Sequence, residues 1–181
     1  MKRYPDEKEC MEMLKEYGTP EHVQGHCRAV ADVAVTVGEK LNETGRFDLD
    51  VGLARAAGLL HDIARVEDAH WLVGEKYLRE QGYDEVADIV AVHMFYPEFS
   101  PVEKTTETDL VCLGDRTVKY DKYVGVEERM EYIMNKAEKN AGDQLKKVMT
   151  KIMIKKEQLE RYVADLEKIM GVSLDDLMKG H

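Results

Sequence analysis

The sequence is poor in cysteine and proline and has no long apolar run. Its 181 residues include three cysteines and four prolines. Cys10, Cys27 and Cys112 are odd in number and form no close pair, so we expect reduced thiols in a reducing compartment. No stretch approaches the roughly 20 apolar residues that span a bilayer, and the first residues, MKRYPDEKEC, contain no apolar signal region. We therefore expect a cytoplasmic protein that has no membrane segment.

Positive charge is scarce relative to negative charge. The chain has 26 Lys and Arg residues against 36 Asp and Glu residues, which gives a net charge of −10. This balance argues against a general nucleic-acid-binding protein, because such proteins carry a basic surface. Apolar residues still make up 44% of the chain, enough for a hydrophobic core. At this length we expect one domain over residues 1–181.

Apolar residues recur at helical spacing along most of the chain, which predicts an all-α fold. Thr19 is expected to cap the first of these helices, with Pro20 at its first position. Further helices are expected over about residues 48–64, 68–81, 84–94, 106–119 and 126–140. A capping pair of Thr106 and Asp109 is expected to open the helix over residues 106–119. Steps of three and four residues place on one face of the first helix Val23, Cys27, Val30, Ala34, Val37 and Leu41.

The last long segment, about residues 142–170, predicts an amphipathic helix. This helix either packs on the domain or pairs with a second copy in a homodimer. Its first part, residues 144–156, contains five lysines and no acidic residue. Such a run is either a solvated face or a surface that binds phosphate or a partner.

Histidine and aspartate interrupt several apolar segments. His26 and His93 each fall on the apolar face of their helix, and His61 is followed directly by Asp62. Histidines of this kind are usually hydrogen-bonded core residues, and Asp62 has Arg65 one turn further on as a salt-bridge partner. The alternative is a metal site, since imidazole and carboxylate are suitable ligands for Mn, Fe or Zn.

Asp115 repeats this pattern at the end of the apolar run LVCLG. Its carboxylate either bonds a neighbouring helix end or Lys119, four residues on, or it is a further metal ligand. The two histidines, the His-Asp pair and this aspartate are all expected near or within apolar helices.

The segments HVQGHCRAVADVA, AAGLLHDIAR and LVCLGDRTVKY resemble the HD-domain metal-dependent phosphohydrolases. The pattern of that superfamily is a His, then a His-Asp pair, then a distant Asp, all on helices. Here these positions are His26, His61-Asp62 and Asp115. The resemblance covers about residues 19–135 and implies a helical bundle with a metal centre between its helices, followed by a C-terminal helical extension over about residues 142–181.

Two further histidines, His70 and His93, lie between the His-Asp pair and Asp115. This order resembles the branch of symmetrical dinucleoside tetraphosphate hydrolases, which hold two metals. The segment GVEERM also resembles that branch and places Arg129 at its downstream arginine. The chain departs from the branch at MFYPEF, after His93, and at DRTVKYDKYV, which begins with Asp115.

The resemblance implies one or two divalent transition-metal ions, with Fe or Mn favoured and Ni, Zn or Mg possible. Asp62 would bridge two ions. His26, His61 and Asp115 would hold one of them, and His70 and His93 the other.

Arg65 and Lys119 are candidates for binding a phosphate beside this centre, with surface salt bridges as the alternative. Arg116 and Arg129 are weaker candidates. We exclude Arg28, because it falls roughly opposite the apolar face of its helix.

The expected function is hydrolysis of a phosphate ester or anhydride by attack of a metal-bound hydroxide. The substrate would be a small phosphorylated molecule, most plausibly a nucleotide, whose base Phe95 and Tyr96 would stack on unless they pack within the protein. The alternatives are a non-catalytic binding or signalling module on the same fold and a di-iron oxygenase. Neither nucleic acid nor a membrane is expected as a partner.

Overall fold

The long second helix organises the fold. The structure, a computed structural model, describes residues 3–95 and 98–180. The expected all-α class is confirmed: apart from one short hairpin and two single turns of 3₁₀-helix, the regular elements in these ranges are α-helices. None of the described helices combines the length and apolar composition needed to cross a membrane. The elements are α1 (Glu7–Tyr17), α2 (Glu21–Glu43), α3 (Val51–Leu60), α4 (His70–Glu80), α5 (Asp84–Val92), α6 (Glu107–Asp115), β1 (Val118–Lys119), β2 (Lys122–Tyr123), α7 (Gly125–Asn140), α8 (Leu145–Met170) and α9 (Leu174–Lys179).

Two glycines allow α3 and α6 to pack closely against α2. A Cβ atom built on Gly58 of α3 would lie 2.7 Å from the Cα atom of Ala31, and one built on Gly114 of α6 would lie 2.7 Å from the carbonyl oxygen of Val30. A larger residue at either position would therefore force the helices apart. Because the ends of α3 and α6 follow these glycines within three residues, the ends of both helices are held against the same stretch of α2.

The helix starts follow local capping rules in several places. The expected capping pair is confirmed at α6: the Thr106 hydroxyl accepts from the backbone N–H of Asp109, and the Asp109 carboxylate accepts from the backbone N–H of Thr106. Asp50 caps α3 by accepting from the backbone N–H of Leu53. This cap explains why the helix expected over residues 48–64 begins only at Val51.

Thr19 does not cap α2, contrary to expectation. Its hydroxyl donates to the carbonyl oxygen of Ile63 at 2.6 Å, and Pro20 occupies the N-cap position without a side-chain bond. The carbonyl of Ile63 lies in the turns that follow α3, where no helix continues to satisfy it. Thr19 therefore ties the start of α2 to the segment that carries the His-Asp pair.

The helix expected over residues 106–119 ends four residues early, at Asp115. The hydroxyl of Thr117 donates to the carbonyl oxygen of Leu113 at 2.8 Å and so satisfies one of the last carbonyls of α6. The chain then reverses through the hairpin of β1 and β2, in which Val118 pairs with Tyr123 and Lys119 with Lys122. This hairpin was not predicted from the sequence.

Helices α7 and α8 form an antiparallel pair that is only partly attached to the core. The second half of α8 packs on the body through residues that include Leu159, Tyr162 and Leu166. Between Met130 and Leu159 no residue is buried, and Met153 and Ile154 are more than half exposed. The lysine-rich first half of α8 therefore lies outside the core.

Candidate metal centre

Helices α2 to α6 each bring at least one of the six expected metal ligands to the same region. His26 lies on α2, His61 and Asp62 directly follow α3, and His70 opens α4. His93 is the C-cap residue of α5, and Asp115 is the last residue of α6. Most of the ligands thus stand at helix ends, where a side chain can leave its own helix and reach into a shared centre.

His61 and His93 make the same type of local hydrogen bond, to the carbonyl oxygen three residues earlier. The Nδ1–H group of His61 donates to the carbonyl oxygen of Gly58 at 2.8 Å, and that of His93 donates to the carbonyl oxygen of Val90 at 2.7 Å. A carbonyl only accepts hydrogen bonds, so in each neutral ring the lone pair is on Nε2. Both Nε2 atoms are buried and make no hydrogen bond within the described part of the chain. A buried acceptor is rarely left unpaired, and a ring fixed through Nδ1 with a free Nε2 is typical of a metal ligand.

Asp62 belongs to two groups of potential ligands. Its Oδ1 atom is 3.0 Å from Nε2 of His70 and 3.5 Å from Nε2 of His93, and its Oδ2 atom is 3.7 Å from Nε2 of His61. The ligand atoms of His26, His61 and Asp62 lie within 4.8 Å of one another, and so do those of Asp62, His70 and His93. The structure therefore places Asp62 where one carboxylate can contact two ions.

Asp115 lies on the side of His26 and His61. Its Oδ1 atom is 3.1 Å from Nε2 of His26 and 3.9 Å from Nε2 of His61. His26 is oriented like His61 and His93, since its Nδ1–H group donates to the carbonyl oxygen of Tyr120 at 2.9 Å. Asp115 thus adds a second carboxylate to the first group of ligands.

The environment sets the charges of these side chains. Burial would raise the pKa of Asp62, but the three histidines around it hold that pKa well below its usual range. Burial likewise opposes ionisation of Asp115, and His26 and His61 keep its pKa low. Burial lowers the pKa of His61 to about 4. For His26, burial opposes protonation, but the hydrogen bond and negative charge of Asp115 outweigh it and raise the pKa.

Anionic carboxylates and a neutral His61 are the protonation states that metal binding requires at neutral pH. The Nε2 atoms of His61 and His93, which have no hydrogen-bond partner among the described residues, and the mixed imidazole and carboxylate donors therefore fit a divalent transition metal.

A cavity of about 850 Å³ opens over this cluster. Of the six expected ligands, His26, Asp62, His93 and Asp115 line it, whereas His61 and His70 are almost completely buried behind it. The remaining lining residues come mainly from α2, the β1–β2 turn and α7, and they are Glu21, His22, Val23, Gly25, Arg28, Arg65, Met94, Tyr120, Asp121, Arg129, Tyr132, Ile133 and Lys136.

A family model described as HD domain matches residues 23–119, just over half of the chain. This chain belongs to the HD-domain family. The match runs from the start of α2 to β1, so it includes all six candidate ligands of the HD domain. The branch of symmetrical dinucleoside tetraphosphate hydrolases is not distinguished by this match.

The chain is also similar to three curated proteins. It is 28% identical over 164 residues to a tRNA (cytidine(56)-2'-O)-methyltransferase of Thermoplasma volcanium, a match that covers 82% of this chain and 47% of the relative. It is 25% identical to the protein of the same name from Picrophilus torridus, over 99% of this chain and 51% of the relative. An uncharacterized protein of Methanocaldococcus jannaschii is 29% identical over 138 residues, covering 67% of this chain and 79% of the relative. The chain spans about half the length of the two methyltransferases, and no solved structure matches it.

Only some of the expected phosphate-binding residues lie at the cavity. Arg65 lines the cavity, and its Nε atom is 3.6 Å from Oδ2 of Asp62. Lys119 is not among the lining residues: its Nζ atom pairs with Glu128 at 2.9 Å. Arg116 donates to the carbonyl oxygen of Cys112 instead of reaching the cavity.

Two arginines stand closer to the cavity than the sequence indicated. Arg129 lines it and donates from Nε to the backbone carbonyl of Asp115 at 3.2 Å. Arg28, which was excluded because of its position on the helix, also lies at the edge of the cavity. Arg28 reaches the cavity because the cavity extends across the solvent side of α2 as well as its buried face, reaching Glu21 and Gly25.

Of the two aromatic residues considered for base stacking, Phe95 follows the packing alternative. Phe95 packs edge-on against Trp71, with ring centroids 4.8 Å apart, and Tyr96 is outside the described residues. Tyr120 and Tyr132 line the cavity instead. Tyr120 was missed because its turn lacks the Asn-Gly or Asp-Gly signal of a two-residue hairpin.

Proposed function

We propose that this HD domain is a metal-dependent phosphohydrolase that cleaves a phosphate ester or anhydride of a nucleotide. One observation carries the proposal: Asp62 is shared by two groups of three potential ligands, and the buried Nε2 atoms of His61 and His93 in these groups have no hydrogen-bond partner among the described residues. Such a shared carboxylate suits a pair of adjacent ions, which is a common arrangement in enzymes that hydrolyse phosphate esters.

In this proposal the ligands divide as the distances suggest. One ion would be held by His26, His61 and Asp115, the other by His70 and His93, with Asp62 contacting both. When bound, such ions lower the pKa of water to near neutrality and offset negative charge on a phosphoryl group. The backbone carbonyls that accept from Nδ1 of three of these histidines would keep the rings in the orientation needed for binding.

Two arginines would bind and orient the phosphate. The side chain of Arg65 is 44% exposed and borders both the cavity and Asp62, so its guanidinium can donate to phosphoryl oxygens. Arg129 donates from Nε to the carbonyl of Asp115, and its Nη2 atom lies 3.9 Å from Oδ1 of the same residue, so its guanidinium is held at the cavity wall beside the cluster. Both cations also balance the charge that a substrate adds beside Asp62 and Asp115.

The finer assignment is a dinucleoside polyphosphate as substrate. It rests on the order His, His-Asp, His, His, Asp along the chain, which resembles the symmetrical dinucleoside tetraphosphate hydrolases. A cavity of about 850 Å³ has room for a nucleotide, since ligand pockets typically measure roughly 300–1,000 Å³.

A second candidate is a role in tRNA modification, favoured by the two relatives named as tRNA methyltransferases. In this role the HD domain would act on a phosphate group of RNA. The net charge of −10 is unfavourable for broad RNA binding, so we place this candidate second.

A phosphate-release screen tests the proposal. Nucleoside mono-, di- and triphosphates, dinucleoside polyphosphates and tRNA would each be incubated with the protein and Mn²⁺, Fe²⁺ or Mg²⁺. We expect metal-dependent cleavage of at least one nucleotide, abolished in Asp62→Asn. The matched control is Asp32→Asn, which changes an exposed carboxylate of α2 and should retain full activity.

Three results would contradict the proposal. Cleavage of no substrate would favour a binding module, and turnover only with oxygen would favour a di-iron oxygenase. Full activity in Asp62→Asn would show that the shared carboxylate is not part of the active centre.

A further inference from the structure

The turn between β1 and β2 has an unusual residue at its first position. Tyr120 and Asp121 form a two-residue loop, since Lys119 pairs with Lys122. Tyr120 has φ of +55°, and Ala69 is the only other non-glycine residue with positive φ in the described ranges. Glycine, asparagine or aspartate normally occupies such a position, because a larger residue is strained there. Strain of this kind is retained mainly where a side chain has a function.

The backbone of this turn is fixed against α2. The carbonyl of Tyr120 accepts from Nδ1–H of His26. A Cβ atom built on Gly25 would lie 3.2 Å from Cβ of Asp121, so Gly25 allows the turn to lie close to the helix. These contacts explain the path of the backbone but not the side chain, since glycine would follow the same path with less strain.

The ring of Tyr120 is presented to the cavity. It is 67% exposed and lines the cavity. It meets the ring of Tyr132 edge to face, with centroids 5.8 Å apart. Tyr132 also carries Arg129 over its ring at 5.5 Å. The Nζ atom of Lys119 also lies over the Tyr120 ring, 6.0 Å from its centroid. Tyr120 thus offers the remaining exposed part of its ring to a ligand in the cavity.

We propose that Tyr120 is a stacking platform for the base of a nucleotide whose phosphate lies at the His-Asp cluster. This inference rests on the proposed function for the position of the phosphate. Tyr120 accepts a hydrogen bond from His26 through its carbonyl and presents its ring to the cavity. The base would therefore bind next to the phosphate, with only the side chain of His26 between the ring and the cluster. Stacking tolerates any base, because every base has a π-face. The protein should therefore require a base without strongly selecting its identity.

Binding of two ligands that differ only in the base tests this platform. Isothermal titration of the Mn²⁺-loaded protein would compare adenosine 5′-monophosphate with ribose 5-phosphate. From the usual strength of base–aromatic stacking, we expect the nucleotide to bind about tenfold more tightly. Tyr120→Leu should bring the two dissociation constants to within about twofold of each other, while that for ribose 5-phosphate stays unchanged and Tyr120→Phe keeps the preference.

Two further variants separate stacking from damage to the turn. Asn tolerates positive φ, so Tyr120→Asn should keep the turn and the metal content while losing the base preference. Phe95→Leu removes an equally accessible ring, 61% exposed, that packs on Trp71 outside the cavity lining. It should leave both dissociation constants unchanged.

The outcomes distinguish the platform from the proposed function. The platform is overturned if the wild type binds both ligands equally or binds neither, if Tyr120→Leu keeps the preference, or if it weakens both ligands alike. A base preference that depends on Tyr120 in a protein that cleaves no nucleotide would refute the proposed hydrolysis and leave the platform intact.

Discussion

Replacing His93 by leucine should separate stability from metal binding. In the metal-free protein the buried Nε2 atom of His93 has no hydrogen-bond partner within the described chain, which costs about 1–3 kcal/mol. His93→Leu removes this cost but loses the bond from Nδ1 to the carbonyl of Val90, worth about 1 kcal/mol. The two effects nearly cancel. We expect the free energy of unfolding of the metal-free variant to lie within about 1.5 kcal/mol of the wild type.

The metal-loaded proteins should differ. An ion present at a hundred times its dissociation constant stabilises a folded protein by about 2.7 kcal/mol. Without His93 the group of Asp62, His70 and His93 loses one of its three ligands. The gain from an ion in this group should therefore largely disappear, while the gain from an ion held by His26, His61 and Asp115 should remain. Urea denaturation with chelator and with excess Mn²⁺ measures both quantities on the same two proteins.

Leu41→Ala serves as the control for this experiment. Leu41 is fully buried in α2, and its truncation should cost about 2–5 kcal/mol with or without metal. If His93→Leu destabilises the metal-free protein as much as Leu41→Ala does, His93 is a structural core residue. An unchanged gain from Mn²⁺ in His93→Leu would likewise refute its role as a ligand.

Three further predictions follow from individual contacts. Arg65→Ala should raise KM or lower kcat, while the melting temperature shifts by no more than about 2 °C, since the Arg65 side chain is 44% exposed and its 3.6 Å ion pair with Asp62 is open to solvent on that side; steady-state kinetics and thermal melts check both. Lys119→Ala should keep kcat/KM for the best substrate within about twofold, because its Nζ atom pairs with Glu128 outside the cavity lining. The metal-free His61→Leu variant should lose less stability on acidification than the wild type. The pKa of His61 is about 4 in the folded protein and about 6.5 in the unfolded chain, so the unfolded chain binds more protons between these pH values. The free energy of unfolding of the wild type should therefore fall by about 2 kcal/mol more than that of the variant between pH 7 and pH 5. Urea denaturation at each pH measures this difference.

The helices and the candidate ligands could be predicted from sequence because their signals are local. Three-and-four spacing of apolar residues encodes α2 regardless of the rest of the chain. The ordered His, His-Asp and Asp pattern indicated the HD family, which the family match confirms. The two additional histidines of the sequence pattern, His70 and His93, lie beside Asp62. The division of the ligands between two ions stays a prediction.

Positions beyond a helix end could not be predicted in the same way. Lys119 was placed near Asp115 because residues four apart share a helix face. Since α6 ends at Asp115 and the chain reverses through a hairpin, that spacing does not apply and Lys119 meets Glu128 instead. Arg129 and Tyr132 reach the cavity only because α7 returns across it, a long-range contact that no local pattern reports.

Metal content tests the central claim most directly. The protein would be produced without a histidine tag, loaded with Mn²⁺, freed of excess ion by gel filtration and analysed for Mn, Fe, Ni and Zn beside Asp62→Ala. We expect at least one and up to two ions per wild-type chain, and a clear loss in the variant, because Asp62 belongs to both groups of ligands. Less than about a tenth of an ion per wild-type chain, with no gain in stability on adding metal, would contradict a metal centre at this site.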